Sequence, residues 1–158
     1  MTCSIRLATS RDSAALVEMR RAFTLEDEPL GGLRPDYETD MRSFLEEGLD
    51  SGRWKVWIAE ADGEVVSHVY LALVDKVPRP TRANRQIAYM TNVYTRPADR
   101  GTGIGTELLN TVTAWAESND VELICVWPSE TSIEFYGRNG FAYPSDLLVW
   151  EAASAQRG

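Results

Sequence analysis

At 158 residues, with 44% hydrophobic and 25% charged side chains, the sequence has the make-up of one soluble globular domain with a sizeable core. Its formal charge of −8 argues against general nucleic-acid binding, where phosphate repulsion must be overcome, and suits a cationic substrate. No apolar run approaches the roughly 18 residues of a membrane span, and Met1-Thr2-Cys3-Ser4 lacks the basic-then-apolar pattern of a signal peptide. Two cysteines, Cys3 and Cys125, and one histidine fit a reducing cytoplasm, without a disulfide framework or zinc site.

Ile5–Ala8 reads as a short strand, followed by a helix over residues 10–25. Ser10 or Asp12 is placed to cap that helix, and Ala15, Leu16, Met19, Ala22 and Phe23 share one face. Gly31-Gly32 forms a loop, and Tyr37, Met41, Phe44 and Leu45 predict a second helix from Pro35 to Leu49. Trp54–Ala61 and Glu64–Val74 read as strands joined by Asp62-Gly63, a strong two-residue hairpin turn. A polar loop over 78–85 carries Arg79, Arg82 and Arg85, and Ile87–Thr95 is the next strand. A helix over 103–118 buries Leu108, Leu109, Val112, Trp115 and Ala116. Val121–Trp127 is a strand and Ile133–Arg138 a short helix. Phe141–Tyr143 and Leu147–Glu151 predict a closing hairpin, and the tail from Ala152 to Gly158 is expected to fray. The order implies one mixed α/β sheet with helices on both faces.

The glycine run between the strand and the helix, Arg100-Gly101-Thr102-Gly103-Ile104-Gly105, carries the functional signal. Strand, glycine loop and helix together make an anion site, because glycines admit close approach and the helix start offers free N–H groups. No lysine follows Gly105, which rules out a Walker A loop. Thr106 and Leu108 stand where the third glycine of a dinucleotide fingerprint belongs. What remains is Arg-x-x-Gly-x-Gly. About thirty residues later comes Phe135-Tyr136-Gly137-Arg138-Asn139-Gly140-Phe141.

These two elements, with Pro97 three residues before Arg100, resemble the GNAT superfamily of acyl-CoA-dependent N-acetyltransferases. That family pairs Gln/Arg-x-x-Gly-x-Gly/Ala with a downstream Phe-Tyr-x-x-x-Gly-Phe. The opening Ile5-Arg6-Leu7-Ala8 with Asp12 also looks like the family's first strand and helix, so the resemblance covers essentially the whole chain. It implies a single N-acetyltransferase domain over residues 1–158, with a core from about 3 to 151. The implied fold is a mostly antiparallel twisted sheet of about seven strands, splayed at an acetyl-CoA site.

On this resemblance, Arg100, Gly101, Thr102, Gly103, Ile104, Gly105 and Thr106 anchor the pyrophosphate, with Arg100 adding charge or bracing the loop. Val93 and Thr95 are the strand positions matched to the pantetheine arm, and the Val93 N–H is the candidate to polarise the thioester carbonyl. Tyr136 matches the tyrosine near the cofactor sulfur, as general acid or as an orienting group. A phenol near 10 gives its proton to a thiolate near 8.5 only uphill, by about 2 kcal/mol. Seven residues earlier, many family members carry a cofactor-binding asparagine; this chain has Ser129, with a shorter hydroxyl.

A general base is not legible, since the strand Ile87–Thr95 contains no acid. Glu26, Asp27 and Glu28, where the family's acceptor loop begins, and Glu130 are candidates to attract an amine; each also reads as a solvated acidic side chain. His68 reads as a core histidine, and Trp54, Trp57 and Trp127 as core or rim. An acceptor pocket drawn from residues 24–37 and 75–86 would mix these acids with Arg79, Arg82 and Arg85. The expected activity is acetyl transfer from acetyl-CoA to a small-molecule primary amine. A peptide or protein amine, a non-acetyl donor and a silent acyl-CoA-binding module are the alternatives. No nucleic-acid or membrane partner is expected; Leu147–Trp150 reads equally as a candidate homodimer interface and as a core strand, and the oligomeric state is open.

Overall fold

The computed structural model describes residues 3–29, 31–83, 85–144 and 146–152. It contains five strands, β1 (Cys3–Leu7), β2 (Trp54–Ala61), β3 (Glu64–Val74), β4 (Gln86–Thr95) and β5 (Val121–Val126). The four helices are α1 (Ser13–Asp27), α2 (Tyr37–Asp50), α3 (Ile104–Ser118) and α4 (Ile133–Arg138). The chain divides into two compact units, Met1–Trp127 and Pro128–Gly158. The whole sheet lies in the first.

Strand order follows chain order, β1-β2-β3-β4-β5. The first three pairings are antiparallel and β4–β5 is parallel. The β2–β3 hairpin turns on Asp62 and Gly63, both at positive φ (52° and 80°), the geometry an Asp-Gly turn favours. Alternation along β2 sends Val56 and Ile58 toward Leu16, Val17, Met19 and Leu45 of α1 and α2. Ala59 and Ala61 face the other way, onto Ile104 of α3, and Trp57 meets Trp115 edge-on at 5.2 Å. Helices therefore cover both faces of the sheet. On α3, Leu108, Leu109, Val112 and Ala116 recur at helical spacing and are buried; each leucine contributes about 2 kcal/mol by leaving water.

Two expectations need correction. The sheet has five strands among the described residues, not about seven, because neither Phe141–Tyr143 nor Leu147–Glu151 forms a strand. The apolar pattern there is real, but a strand is a pairing, and these side chains gain no burial: Leu148 is 97% and Trp150 87% exposed. Nor does a side-chain cap open α1. Asp12 precedes it, but its carboxylate accepts from Arg6 (2.9 Å) and from the Thr9 N–H (2.7 Å). The tail from residue 153, expected to fray, lies outside the described residues.

Candidate acyl-CoA site

The β4–β5 ladder ends at Met90↔Val126, while β4 runs on to Thr95. Residues 91–95 thus have no strand partner on that side among the described residues. Which backbone groups face the open edge follows from their bonds on the other side. The Arg96 N–H donates to Val66 O (2.9 Å), and Ser67 Oγ donates to Tyr94 O (2.8 Å). Tyr94 and Arg96 face β3, so alternation turns Val93 and Thr95 to the open edge. Arg100 Nε reaches Thr95 O from there, at 2.9 Å.

β4 carries a bulge within this stretch. His68 pairs with Tyr94 and Tyr70 with Thr91, so Asn92 and Val93 together oppose Val69. Asn92 sits at φ +49°, a conformation asparagine tolerates better than most residues. It is held from two sides. His68 Nδ1 lies 2.7 Å from Asn92 O, and Arg20 Nη1 donates to Asn92 Oδ1 at 3.2 Å. Because a carbonyl only accepts, Nδ1 carries the imidazole proton. Burial pushes the fully enclosed His68 down to about 4. It also pushes the Tyr70 phenol well up.

Beyond β4, a turn at Pro97–Asp99 leads into the glycine loop. Gly101 and Gly103 sit at φ +76° and +89°, and a β-carbon at either would project into open space. Gly103 directly precedes α3. The helix's first backbone bond runs from Glu107 N–H to Gly103 O, which leaves the N–H groups of Ile104, Gly105 and Thr106 without intrahelical acceptors. The loop leads into free N–H donors at a helix N-terminus, the chemistry a pyrophosphate requires.

Arg100 does not point its charge toward these donors. Its guanidinium closes on Glu26 (Nη1–Oε1 2.6 Å, Nη2–Oε2 2.9 Å) and covers the Tyr94 ring at 5.5 Å. Tyr94 stacks on Phe23 at 5.0 Å and donates to Glu26 Oε2 at 3.3 Å. Of the two readings of Arg100, bracing is the one its contacts support. Its hydrogen bonds hold the Glu26 carboxyl below the usual carboxylate range, so Glu26 stays ionised at neutral pH, paired with Arg100. Asp27 and Glu28 end α1 beside it, exposed.

The loop 75–86 lies at the opposite end of β4 from the glycine run, where Gln86 pairs with Val121. Arg85 approaches Asp120 at 3.9 Å, and Lys76 pairs with Glu122. Ten residues of β4 separate this loop from the glycine run.

In the second unit, Tyr136 is buried on α4 between Phe135 and Phe141, with ring centroids at 5.4 and 5.5 Å. Burial pushes its phenol up to about 12. Ser129 opens a 3-10 turn, and its hydroxyl is shared with Thr131 (3.2 Å) and Ser132 (3.0 Å). Glu130 is exposed beside it. Sequence reasoning passed over Tyr94, Asn92, Arg20 and the bonding of His68. An asparagine in mid-strand, poor in β-propensity, was the one local hint.

The acetyltransferase (GNAT) family model matches residues 16–141. The chain belongs to that family, and it is an acyltransferase. A predicted acetyltransferase from Clostridium acetobutylicum, solved with acetyl-CoA, superposes with a TM-score of 0.77 at 25% identity, over 95% of this chain and 96% of that one. Glucosamine-6-phosphate N-acetyltransferase from Arabidopsis thaliana gives 0.72 at 15% identity, over 96% and 99%. A GCN5-related N-acetyltransferase from Ralstonia eutropha gives 0.71 at 21%, over 95% and 99%. No protein of curated function matches the sequence. Among the described residues, no helix of the GNAT chain is long and apolar enough to cross a membrane.

Proposed function

We propose that this GNAT protein transfers an acetyl group from acetyl-CoA to a primary amine of a small molecule, by direct attack. The observation that carries the reading is the unpaired edge of β4, running into the glycine loop at the start of α3. A peptide-like arm can add to Val93 and Thr95 as a further strand, with its pyrophosphate on the N–H groups of Gly101 to Thr106. When bound, acetyl-CoA supplies the acetyl group as an activated thioester; positioning, polarisation and proton handling belong to the protein.

The Val93 N–H donates to the acyl oxygen. Asp27, Glu28 and Glu130 draw the protonated amine by charge. An alkylamine near 10.4 must then lose its proton, at about 4 kcal/mol at pH 7.4, and β4 offers no carboxylate for that. Water is the acceptor this reading assigns. Tyr136 acts by donating a hydrogen bond to the leaving sulfur. At about 12, complete proton transfer to a thiolate near 8.5 would be uphill by about 5 kcal/mol, so the thiolate takes its proton from solvent. Ser129 keeps a contact to the cofactor. The free thiols Cys3 and Cys125 are in keeping with a cytoplasmic setting.

Titration calorimetry with acetyl-CoA, CoA and ATP tests this first. The expected result is micromolar binding of both CoA species, lost in a Gly103→Asp variant, followed by thiol release when small amines are added. A folded protein that binds neither CoA species overturns the proposal.

A further inference from the structure

His68 has a bonding arrangement that a core histidine does not need. It is fully buried, yet among the described residues Nε2 finds no hydrogen-bond partner, and neither does the hydroxyl of buried Tyr70, whose ring centroid lies 5.2 Å from the imidazole's. A leucine would fill the site without leaving a buried nitrogen unsatisfied, a cost of about 1–3 kcal/mol. What the imidazole gains is one bond, Nδ1–H to Asn92 O at 2.7 Å. That carbonyl belongs to the peptide whose other end is the Val93 N–H. The peptide is trans, so its C=O and N–H point in opposite directions in one plane. Fixing the carbonyl toward β3 aims the Val93 N–H at the open edge of β4.

We infer that His68 is a positioning residue: by holding the Asn92 carbonyl at the β4 bulge, it orients the Val93 N–H as the donor to the acyl oxygen of acetyl-CoA. This rests on the proposed function above. Two further features support it. Asn92 lies at φ +49°, where an unconstrained residue would relax, and Arg20 holds its side chain from α1. A hydrogen bond to a peptide carbonyl also polarises that peptide and strengthens its N–H as a donor.

The test separates acyl recognition from cofactor binding. CoA lacks the acyl oxygen, so a change confined to the Val93 N–H alters binding of acetyl-CoA and not of CoA. In His68→Leu, acetyl-CoA affinity is expected to fall roughly five-fold with CoA affinity unchanged, the scale of one hydrogen bond, and kcat is expected to fall more than KM rises. His68→Asn, whose Nδ2 can take the place of Nδ1, is expected to restore much of the acetyl-CoA preference. Equal loss for both ligands, or no loss in a folded His68→Leu protein, overturns the inference. Failure of the unsubstituted protein to bind CoA at all overturns the proposed function instead. Nitrogen-15 NMR of the imidazole needs no variant: a proton on Nδ1 at pH 7 is expected, and one on Nε2 alone overturns the inference.

Discussion

Arg100 and Glu26 are 74 positions apart in the chain, yet their side chains meet in a two-pronged ion pair. The pair ties the end of α1 to the entrance of the glycine loop, while Arg100 Nε holds Thr95 O. The arginine thus acts as a geometric clip, and its fork matters more than its charge.

This gives a direct test. Arg100→Lys keeps the charge but cannot span Glu26, Thr95 and the Tyr94 ring together. It is expected to lose nearly as much CoA affinity as Arg100→Ala, about ten-fold. Calorimetry at two salt concentrations checks it: if Arg100 acted on the phosphates as a simple charge, lysine would retain most of the affinity and its salt dependence.

The glycine loop predicts a dissociation of stability from binding. Gly103→Ala and Gly101→Ala force alanine into left-handed backbone (φ +89° and +76°), at about 1–2 kcal/mol each. Both also project a methyl group into the open space beside the loop, to which the proposed function assigns the phosphates. Gly63→Ala, at φ +80° in the β2–β3 hairpin, carries the same backbone cost away from the loop. All three are expected to melt earlier, and only the two loop variants to lose CoA binding by ten-fold or more.

Stability should fall in mild acid because of His68. Its value in the fold, about 4, lies below its ordinary 6.5, so the unfolded chain takes up the proton first. The stabilisation is complete above pH 6.5 and drains as pH falls toward 4, by up to about 3 kcal/mol. Arg20, Tyr70 and Tyr94 surround the ring; Arg20 is the cation among them and adds to the penalty. Urea unfolding at pH 7 and pH 5 is expected to show this drop in the natural protein and a smaller one in His68→Phe.

Tyr136→Phe is expected to lower kcat by ten- to a hundred-fold with CoA affinity nearly unchanged. Because burial pushes the phenol up to about 12, the rate is expected to climb with pH as the amine loses its proton, with no decline assignable to Tyr136 below pH 10. A falling limb near pH 9 that vanishes in the phenylalanine variant would contradict this.

The hairpin β2–β3 was legible residue for residue, because two apolar, β-branched and aromatic runs joined by Asp62-Gly63 are local signals. The glycine loop and α4 were equally plain. The closing hairpin was misread for the opposite reason: Leu147, Val149 and their neighbours carry a strand's composition, but composition does not supply a partner. The bulge at Asn92, the clip from Arg100 to Glu26 and the placement of loop 75–86 all depend on contacts between distant segments, which no window of sequence contains.

Those same apolar side chains make a prediction about assembly. Leu147–Trp150 are exposed by 54, 97, 55 and 87%, and we propose that they join a second copy. Sedimentation is expected to show a dimer that Leu148→Asp with Trp150→Asp converts to monomer; a natural protein monomeric at tens of micromolar would refute the pairing.

The early end of the β4–β5 ladder has a practical consequence. A strand edge with unused donors and acceptors is adhesive, and proteins usually shield such edges against aggregation. Arg100 shields Thr95 O in part; on the proposed function, the rest of the open edge along residues 91–95 is left for the donor molecule to cover. Purified without it, the enzyme should clump on concentration and warming; a slight excess of CoA in the storage buffer should keep it clear.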